Sequence, residues 1–468
     1  MDLLITGGKV ATPQGVVESA DIAIRGEKIE AVGRGLAEAF PGTPTLDASG
    51  HLVMPGVIDV HVHLELPFCG TVSADDYRTG TRAGARGGVT SVIDFAIPPR
   101  HADGSTASLS EAVDTWMAKA QGKALIDYTF HVCVTRYHQH RQEMAAMVKR
   151  GFPTFKEFMI YEAEGWQSDD GAMFGTLEEC RRLGAMLLVH AESSRLIDEL
   201  QRRHASPDEK QRLGARLHAL TRPNVNEEEA IGRACLWSRA TGGKLYIVHL
   251  SSGEGAEVVW RHQHDGTPVI AETCPQYLVL DESMFERPDG HLYACCPQIK
   301  TPEDQVALWD ALAEGTLSVV STDTCTFTRQ QKAMWQGDYT RIPMGLPGLE
   351  TLLPLVYTEG VLAGRISLER AIEVLCEQPA RIMGLWGRKG AIAPGFDADI
   401  AIIHPTHRMV VNPETMETNC DWSPYEGRHL AGFARTTISR GTVIVDNYKV
   451  RDGLEGRGQW LHRDPLSD

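Results

Sequence analysis

The sequence predicts an α/β protein, a (β/α)8 barrel of TIM type joined to a smaller β-sandwich-like domain formed from both chain ends. Three observations predict it. Eight short apolar runs recur through the middle of the 468-residue chain, stretches with one charged face separate them, and alternating apolar and polar segments precede the first run and follow the last.

The N-terminal segments LLITGGKV, DIAIRGEKIEAVG and HLV are short, alternating and divided by Gly-rich turns, the pattern of a small antiparallel unit. ADIAIIHP, from residue 398, and TTISRGTVIVDNYKV, from 436, repeat that pattern near the other end. The economical division is therefore one β-domain from residues 1–53 and 389–447, a barrel inserted as residues 54–388, and an extension over 448–468. A barrel domain takes roughly 250 residues, so a chain of this length needs the second domain.

The eight runs are VIDVHVHL (57–64), TSVIDFAI (90–97), IDYTFHVCV (126–134), TFKEFMI (154–160), AMLLVHAE (185–192), LYIVHLS (245–251), PVIAETC (268–274) and LSVVSTD (317–323). Near-continuous apolar runs suit parallel strands covered on both faces. The spacers DDYRTGTRAGARGG, TLEECRRLGA and NEEEAIGRACLWSRATGG read as helices, with Gly near the end as a common helix stop. An open doubly wound sheet would call for a Gly-rich phosphate loop, and none is evident.

A formal charge of −16 argues against a nucleic-acid groove or an anionic membrane surface as partner. Asp2 stands where a secretory signal needs positive charge, and no apolar stretch approaches the length of a membrane span. Ten cysteines without a C-x-x-C pair suggest no disulfide framework, so a cytoplasmic location is expected.

Chemistry gathers at the ends of the runs. His61 and His63 share one strand face with Cβ atoms roughly 6–7 Å apart, so both can reach one metal. Asp59 continues that face as a supporting partner. His190 and His249 end the fifth and sixth runs and Asp323 the eighth, where barrel enzymes place functional groups. Each alone also fits a hydrogen-bonded structural residue; together they favour a metal site. His131, inside the third run, lacks the matching position and reads as core or support.

Lys156 lies inside an apolar strand, where a bare ammonium is strongly disfavoured. Either it points outward while Thr154 or Glu157 faces in, or its charge changes. A neutral amine can add CO2 and become an anionic carbamate able to bridge two metals, and the surrounding ligand types favour that alternative.

The ordered motifs VIDVHVHLELPF, FKEFMIY, LLVHAE, YIVHLSSGEG, AETCPQYL, VVSTDTCTF and GLPGLE resemble the cyclic amidohydrolases, within them the dihydropyrimidinase and hydantoinase branch. The resemblance covers nearly the whole chain. It implies that His61, His63 and Asp323 bind a first, more buried metal, that His190 and His249 bind a second, and that N6-carboxylated Lys156 and a hydroxide bridge them. Zinc is the usual metal, with manganese or cobalt as substitutes. The implied reaction is hydroxide attack on a ring carbonyl, giving an N-carbamoyl amino acid from a dihydropyrimidine or 5-substituted hydantoin. Asp323 is implied as general base and acid, and Tyr161 as the hydrogen-bond donor to the oxyanion.

Related enzymes that open dihydroorotate carry an Arg directly after the H-x-H pair; here Leu64, Glu65, Leu66, Pro67 and Phe68 follow, which disfavours a charged substrate. Leu64, Leu66, Phe68, Phe95 and Phe152 are candidates for an apolar rim around the ring substituent. Cys296 stands where the family often has Ser, Met344 where it often has Asn, and Thr324 where His commonly follows the aspartate. Cys296 and Met344 lie in segments expected to hold the cyclic amide through backbone groups. Allantoin or a cyclic imide is the alternative substrate, and a non-catalytic scaffold the alternative role. Resembled enzymes are commonly homotetramers, and the extension after residue 448 is a candidate for those contacts.

Overall fold

In the computed structural model, which describes residues 1–12, 14–101 and 103–466, eight parallel strands form a nearly closed barrel in chain order. The N-terminal strands are β1 (Leu3–Thr12), β2 (Gly15–Arg25), β3 (Lys28–Gly33), β4 (Thr45–Asp47) and β5 (Leu52–Pro55). The barrel follows with β6 (Val57–Val62), then, after a short hairpin of β7 (Pro67–Phe68) and β8 (Thr71–Val72), with β9 (Val89–Ala96), β10 (Asp127–Cys133), β11 (Thr154–Phe158), β12 (Met186–His190), β13 (Lys244–Ile247), β14 (Val269–Thr273) and β15 (Val319–Val320). All eight expected barrel strands are present.

Closure between β15 and β6 runs through a side chain and the backbone just beyond the strands. The Asp59 carboxylate accepts hydrogen bonds from Thr322 N at 3.1 Å and Thr322 Oγ1 at 2.6 Å, and His63 N donates to Thr324 O at 2.8 Å. Asp59 thus joins the last strand to the first and touches the His61 backbone amide rather than an imidazole, which corrects its expected supporting role. Burial pushes its carboxyl up to about 7, against those hydrogen bonds.

The second sheet has nine strands. To β1–β5 it adds β16 (Ile400–Ile403), β19 (Ala434–Ser439), β20 (Thr442–Asp446) and β21 (Lys449–Val450), while β17 (Arg408–Val410) and β18 (His429–Ala431) form a separate hairpin. Strand β5 joins the two ends of the chain, parallel to β1 and antiparallel to β16. Alternation along β16 decides the cores: Ile400 and Ile402 pack in the small core with Ile22, Ile24 and Val53, whereas Ala401 and Ile403 face the main core. All ten cysteines are free. Among the described residues no helix is long and apolar enough to cross a membrane.

Several apolar runs extend beyond their strands because the residues at their C-terminal ends leave the ladder. His63 follows β6, His249 lies two residues beyond β13 and Asp323 three beyond β15. Those departures build the site.

Candidate metal centre

At the C-terminal end of the barrel, β6, β11, β12 and the segments after β13 and β15 bring His61, His63, Lys156, His190, His249 and Asp323 around one narrow cavity of about 40 Å³. Leu66, Phe68, Phe158, Tyr161 and Trp166 form its apolar wall, and Cys296 and Met344 line it too. A wider surface groove of about 510 Å³ opens beside it near Gln167 and Arg195, without an imidazole.

His249, Asp323 and Tyr161 have φ of +41°, +52° and +72°, a region bulky L-residues rarely adopt. Such strain concentrates where surrounding structure forces a functional geometry. Here it turns three side chains toward one point after their strands have ended.

The imidazoles form a chain, with ring centroids 5.1 Å apart for His63 and His61, 5.3 Å for His61 and His249, and 4.5 Å for His249 and His190. Burial holds His63 and His190 below the usual histidine range and His249 well below it. They are therefore neutral, the form that donates a lone pair to a metal.

His61 differs. Its Nδ1 lies 2.5 Å from Glu272 Oε1 and its Nε2 3.1 Å from Asp323 Oδ1. Burial works to lower it, but the Glu272 and Asp323 carboxylates outweigh burial and raise it to about 9. A neutral imidazole has one N–H for those two carboxylates, so Nε2 meets Asp323 only with a second proton on the ring or a cation between them. His63 Nε2 points at the same Asp323 oxygen, also at 3.1 Å. Burial would raise Asp323, yet the His61 charge and the bonds from both rings hold it well below the carboxylate range. One carboxylate oxygen facing two imidazole nitrogens is a donor set that fits a divalent cation, and these three side chains form a cluster with metal-ligand spacing. At the other end of the barrel the trio Asp127, Asp397 and Asp399 also clusters, but Lys389 Nζ fills it, at 2.6, 3.0 and 2.5 Å respectively.

Lys156 faces inward, 1% exposed, with its Nζ 5.3 Å from the Phe95 ring centre and 5.0 Å from that of Phe158. Among the described residues it has no hydrogen bond and no carboxylate within 4.0 Å. Burial lowers its amine to about 8, which makes the neutral form accessible near pH 7. Glu157 points the other way, to Thr176 Oγ1 at 2.6 Å, and Thr154 shares the inner face, bonded to His131 Nδ1 at 2.8 Å. His131 is fully buried and its Nε2 meets Val60 O at 3.0 Å, a supporting residue beneath the site.

Tyr161 packs 5.2 Å from the His190 ring and edge-on to Phe68 at 5.3 Å, and Phe68 stacks on Trp166. Three apolar residues expected at the rim stand elsewhere. Leu64 is fully buried and its methyls pack against Gly80 in the helix Tyr77–Arg86. Phe95 lies against His61, His63 and His131, at 4.5, 4.9 and 4.8 Å, and so supports the imidazoles instead of meeting a substituent. Phe152 precedes β11, which places it at the opposite end of the barrel against Phe130 and Trp460. Thr324 is buried with its Oγ1 unpartnered among the described residues.

Two carboxylates were missed by reading strand ends alone. Glu272, in β14, holds His61 and is itself held by Tyr246 Oη at 2.8 Å and His249 N at 3.1 Å. Glu192 holds His190 Nε2 at 2.8 Å. Each is a lone acid in or just after an apolar run, the signal that singled out Lys156.

Over nearly its whole length the chain is similar to known proteins. The model of the Amidohydrolase family matches residues 52–428. The D-hydantoinase of Streptomyces coelicolor is 39% identical over 98% of this chain and 97% of its own. That of Geobacillus stearothermophilus is 38% identical over 99% and 97%. The crystal structure of dihydropyrimidinase from Brevibacillus agri superposes with a TM-score of 0.95 at 36% identity, covering all of both chains.

Proposed function

The chain belongs to the amidohydrolase family, and from that premise we propose that it opens the ring of 5-substituted hydantoins or dihydropyrimidines to N-carbamoyl amino acids. The observation that carries this reading is the convergence of His61, His63, Lys156, His190, His249 and Asp323 on one cavity with an apolar wall. The names and full-length match of the D-hydantoinase and dihydropyrimidinase relatives support the substrate class.

His61, His63 and Asp323 would hold one divalent ion and His190 and His249 another, with Lys156 as a carboxylated bridge between the halves. Zinc suits such nitrogen and oxygen donors, as do manganese and cobalt. Two such ions polarise a carbonyl and make hydroxide available near neutral pH. Water then adds across the ring C–N bond: the carbonyl carbon gains oxygen and the ring nitrogen leaves with a proton.

Asp323 is ionised and so is the group that takes the proton from water and returns it to the leaving nitrogen. Tyr161, kept protonated by burial, donates its hydroxyl to the oxygen that gains charge. Leu66, Phe68 and Trp166 exclude water and receive the ring substituent. Cys296 and Met344 belong to the wall that holds the amide, with their backbones presenting the hydrogen-bonding groups.

The division into residues 54–388 as the catalytic domain and a two-ended β-domain belongs to the same proposal, as does a homotetramer, which sedimentation would test. The activity test uses purified protein with quantified metal on dihydrouracil and both enantiomers of 5-phenylhydantoin. Ring opening of either compound, with loss on chelation, is expected. Inactivity on both with turnover of allantoin or a cyclic imide would refute the substrate class.

A further inference from the structure

Arg222 lies between the helices Arg216–Leu220 and Asn224–Thr241 and is 7% exposed. A buried guanidinium is tolerated only where partners compensate it. Two of its nitrogens face different parts of the site. Nε forms an ion pair with Glu192 Oε1 at 3.3 Å, without hydrogen-bond alignment, and the other oxygen of that carboxylate, Oε2, lies 2.8 Å from His190 Nε2. Asn226 Nδ2 donates to Glu192 Oε1 at 3.1 Å. Oε1 thus faces the Arg222 guanidinium and the Asn226 amide, and Oε2 is left to accept from His190. His190 therefore donates through Nε2, which leaves its lone pair on Nδ1.

The other arm goes to the substrate wall. Nη1 is 3.5 Å from His218 Nδ1, and His218 Nε2 meets Cys295 O at 2.8 Å. Donation to that carbonyl leaves the His218 lone pair facing the guanidinium. The Arg222 carbonyl in turn accepts from Gln298 Nε2 at 3.2 Å and Lys300 Nζ at 3.0 Å. Arg222 thus meets the segment 295–300 directly at two points through its carbonyl and at a third through His218, and Cys296 in that segment lines the cavity.

We propose that Arg222 is a positioning residue that ties the His190 half of the metal centre to the wall against which the cyclic amide lies. This rests on the reading of the site given above. Lysine cannot substitute, because a single ammonium on a flexible stem does not serve two diverging partners as a rigid fork does.

Three variants separate the arms. Glu192→Gln cuts the metal arm, His218→Leu cuts the wall arm, and Arg222→Lys keeps the buried charge but loses the fork. Affinities for two equivalents of zinc are measured by competition with a chelator, kcat and KM are taken at saturating metal, and circular dichroism verifies folding. Glu192→Gln is expected to weaken one equivalent about ten- to a hundred-fold with KM near wild type. His218→Leu is expected to raise KM several-fold with both metal affinities unchanged, and His218→Gln, which retains a donor for Cys295 O, to restore KM. Arg222→Lys is expected to show both effects. Two tight metals in the wild type with Arg222→Lys indistinguishable from it would overturn the assignment of Arg222 alone, as would His218→Leu that weakens metal and spares KM. Wild-type protein that takes up no divalent metal would overturn the underlying reading of the site, and this proposal with it.

Discussion

Glu272 shows how a buried acid can govern a ligand it does not replace. Its Oε1 faces His61 Nδ1 at 2.5 Å while Tyr246 Oη donates to Oε2, so ring orientation and tautomer follow from one carboxylate. Glu272→Gln should weaken metal binding about ten- to a hundred-fold, measured by chelator competition, with Tyr246→Phe giving a smaller loss. Asp323 has a different role. Asp323→Asn keeps the shape but cannot carry a proton, and kcat should fall by about 10²–10⁴-fold in protein that retains its circular dichroism. The histidines and Asp323 were legible in the sequence because polar residues at the ends of apolar runs are conspicuous. Glu272 is as conspicuous in its run, but its role is not legible, since its partners lie 26 and 211 residues away and only the barrel brings them together.

At the scale of elements, strand ends do the aiming. The runs were readable as strands, but where each leaves the ladder depends on neighbours, and the positive φ at His249, Asp323 and Tyr161 has no signature in composition. The other end of the barrel is fixed by a seam. Asp127, which opens β10, receives Lys389 Nζ at 2.6 Å, Arg440 Nε at 3.0 Å and Gln459 N at 2.8 Å. Burial alone would lower the Lys389 amine, but Asp399, Asp127 and Asp397 raise it above its ordinary 10.5. A lysine raised on folding gives stability that is fully present below about pH 10.5 and is lost only as pH climbs through the higher folded value. The seam should therefore hold across the neutral and mildly alkaline range. Lys389→Met leaves the three carboxylates without their shared cation and should cost about 3–5 kcal/mol in denaturant unfolding at pH 7. A loss under 1 kcal/mol would mean that Arg440 on Asp127, with Lys28 and Arg388 on Asp397, compensates them.

For the whole molecule, the joining of both chain ends in one sheet was legible because each end carried period-two alternation. The extension after residue 448 was not, as it has no periodicity to read. It runs beneath the barrel: Gly458 N donates to Ala124 O, Leu461 N to Tyr128 O and Leu466 N to Gly184 O. Leu461 and Arg463 are fully buried there. Arg463 Nη2 donates to Phe130 O at 2.5 Å and to Thr154 Oγ1 at 2.9 Å, with no carboxylate among the described residues to balance it, and burial lowers its guanidinium to about 9. The tail thus contributes apolar burial and backbone pairing, while its arginine head works against stability. These contributions separate experimentally. Removing residues 459–468 exposes the barrel floor and forfeits about 1.5–3 kcal/mol for Leu461 alone, so the thermal midpoint should fall. Arg463→Met keeps the volume and deletes the unbalanced charge, and by the same physics should leave the midpoint unchanged or raise it. A destabilised Arg463→Met protein would instead show that its bonds to Phe130 and Thr154 outweigh the burial of a charge.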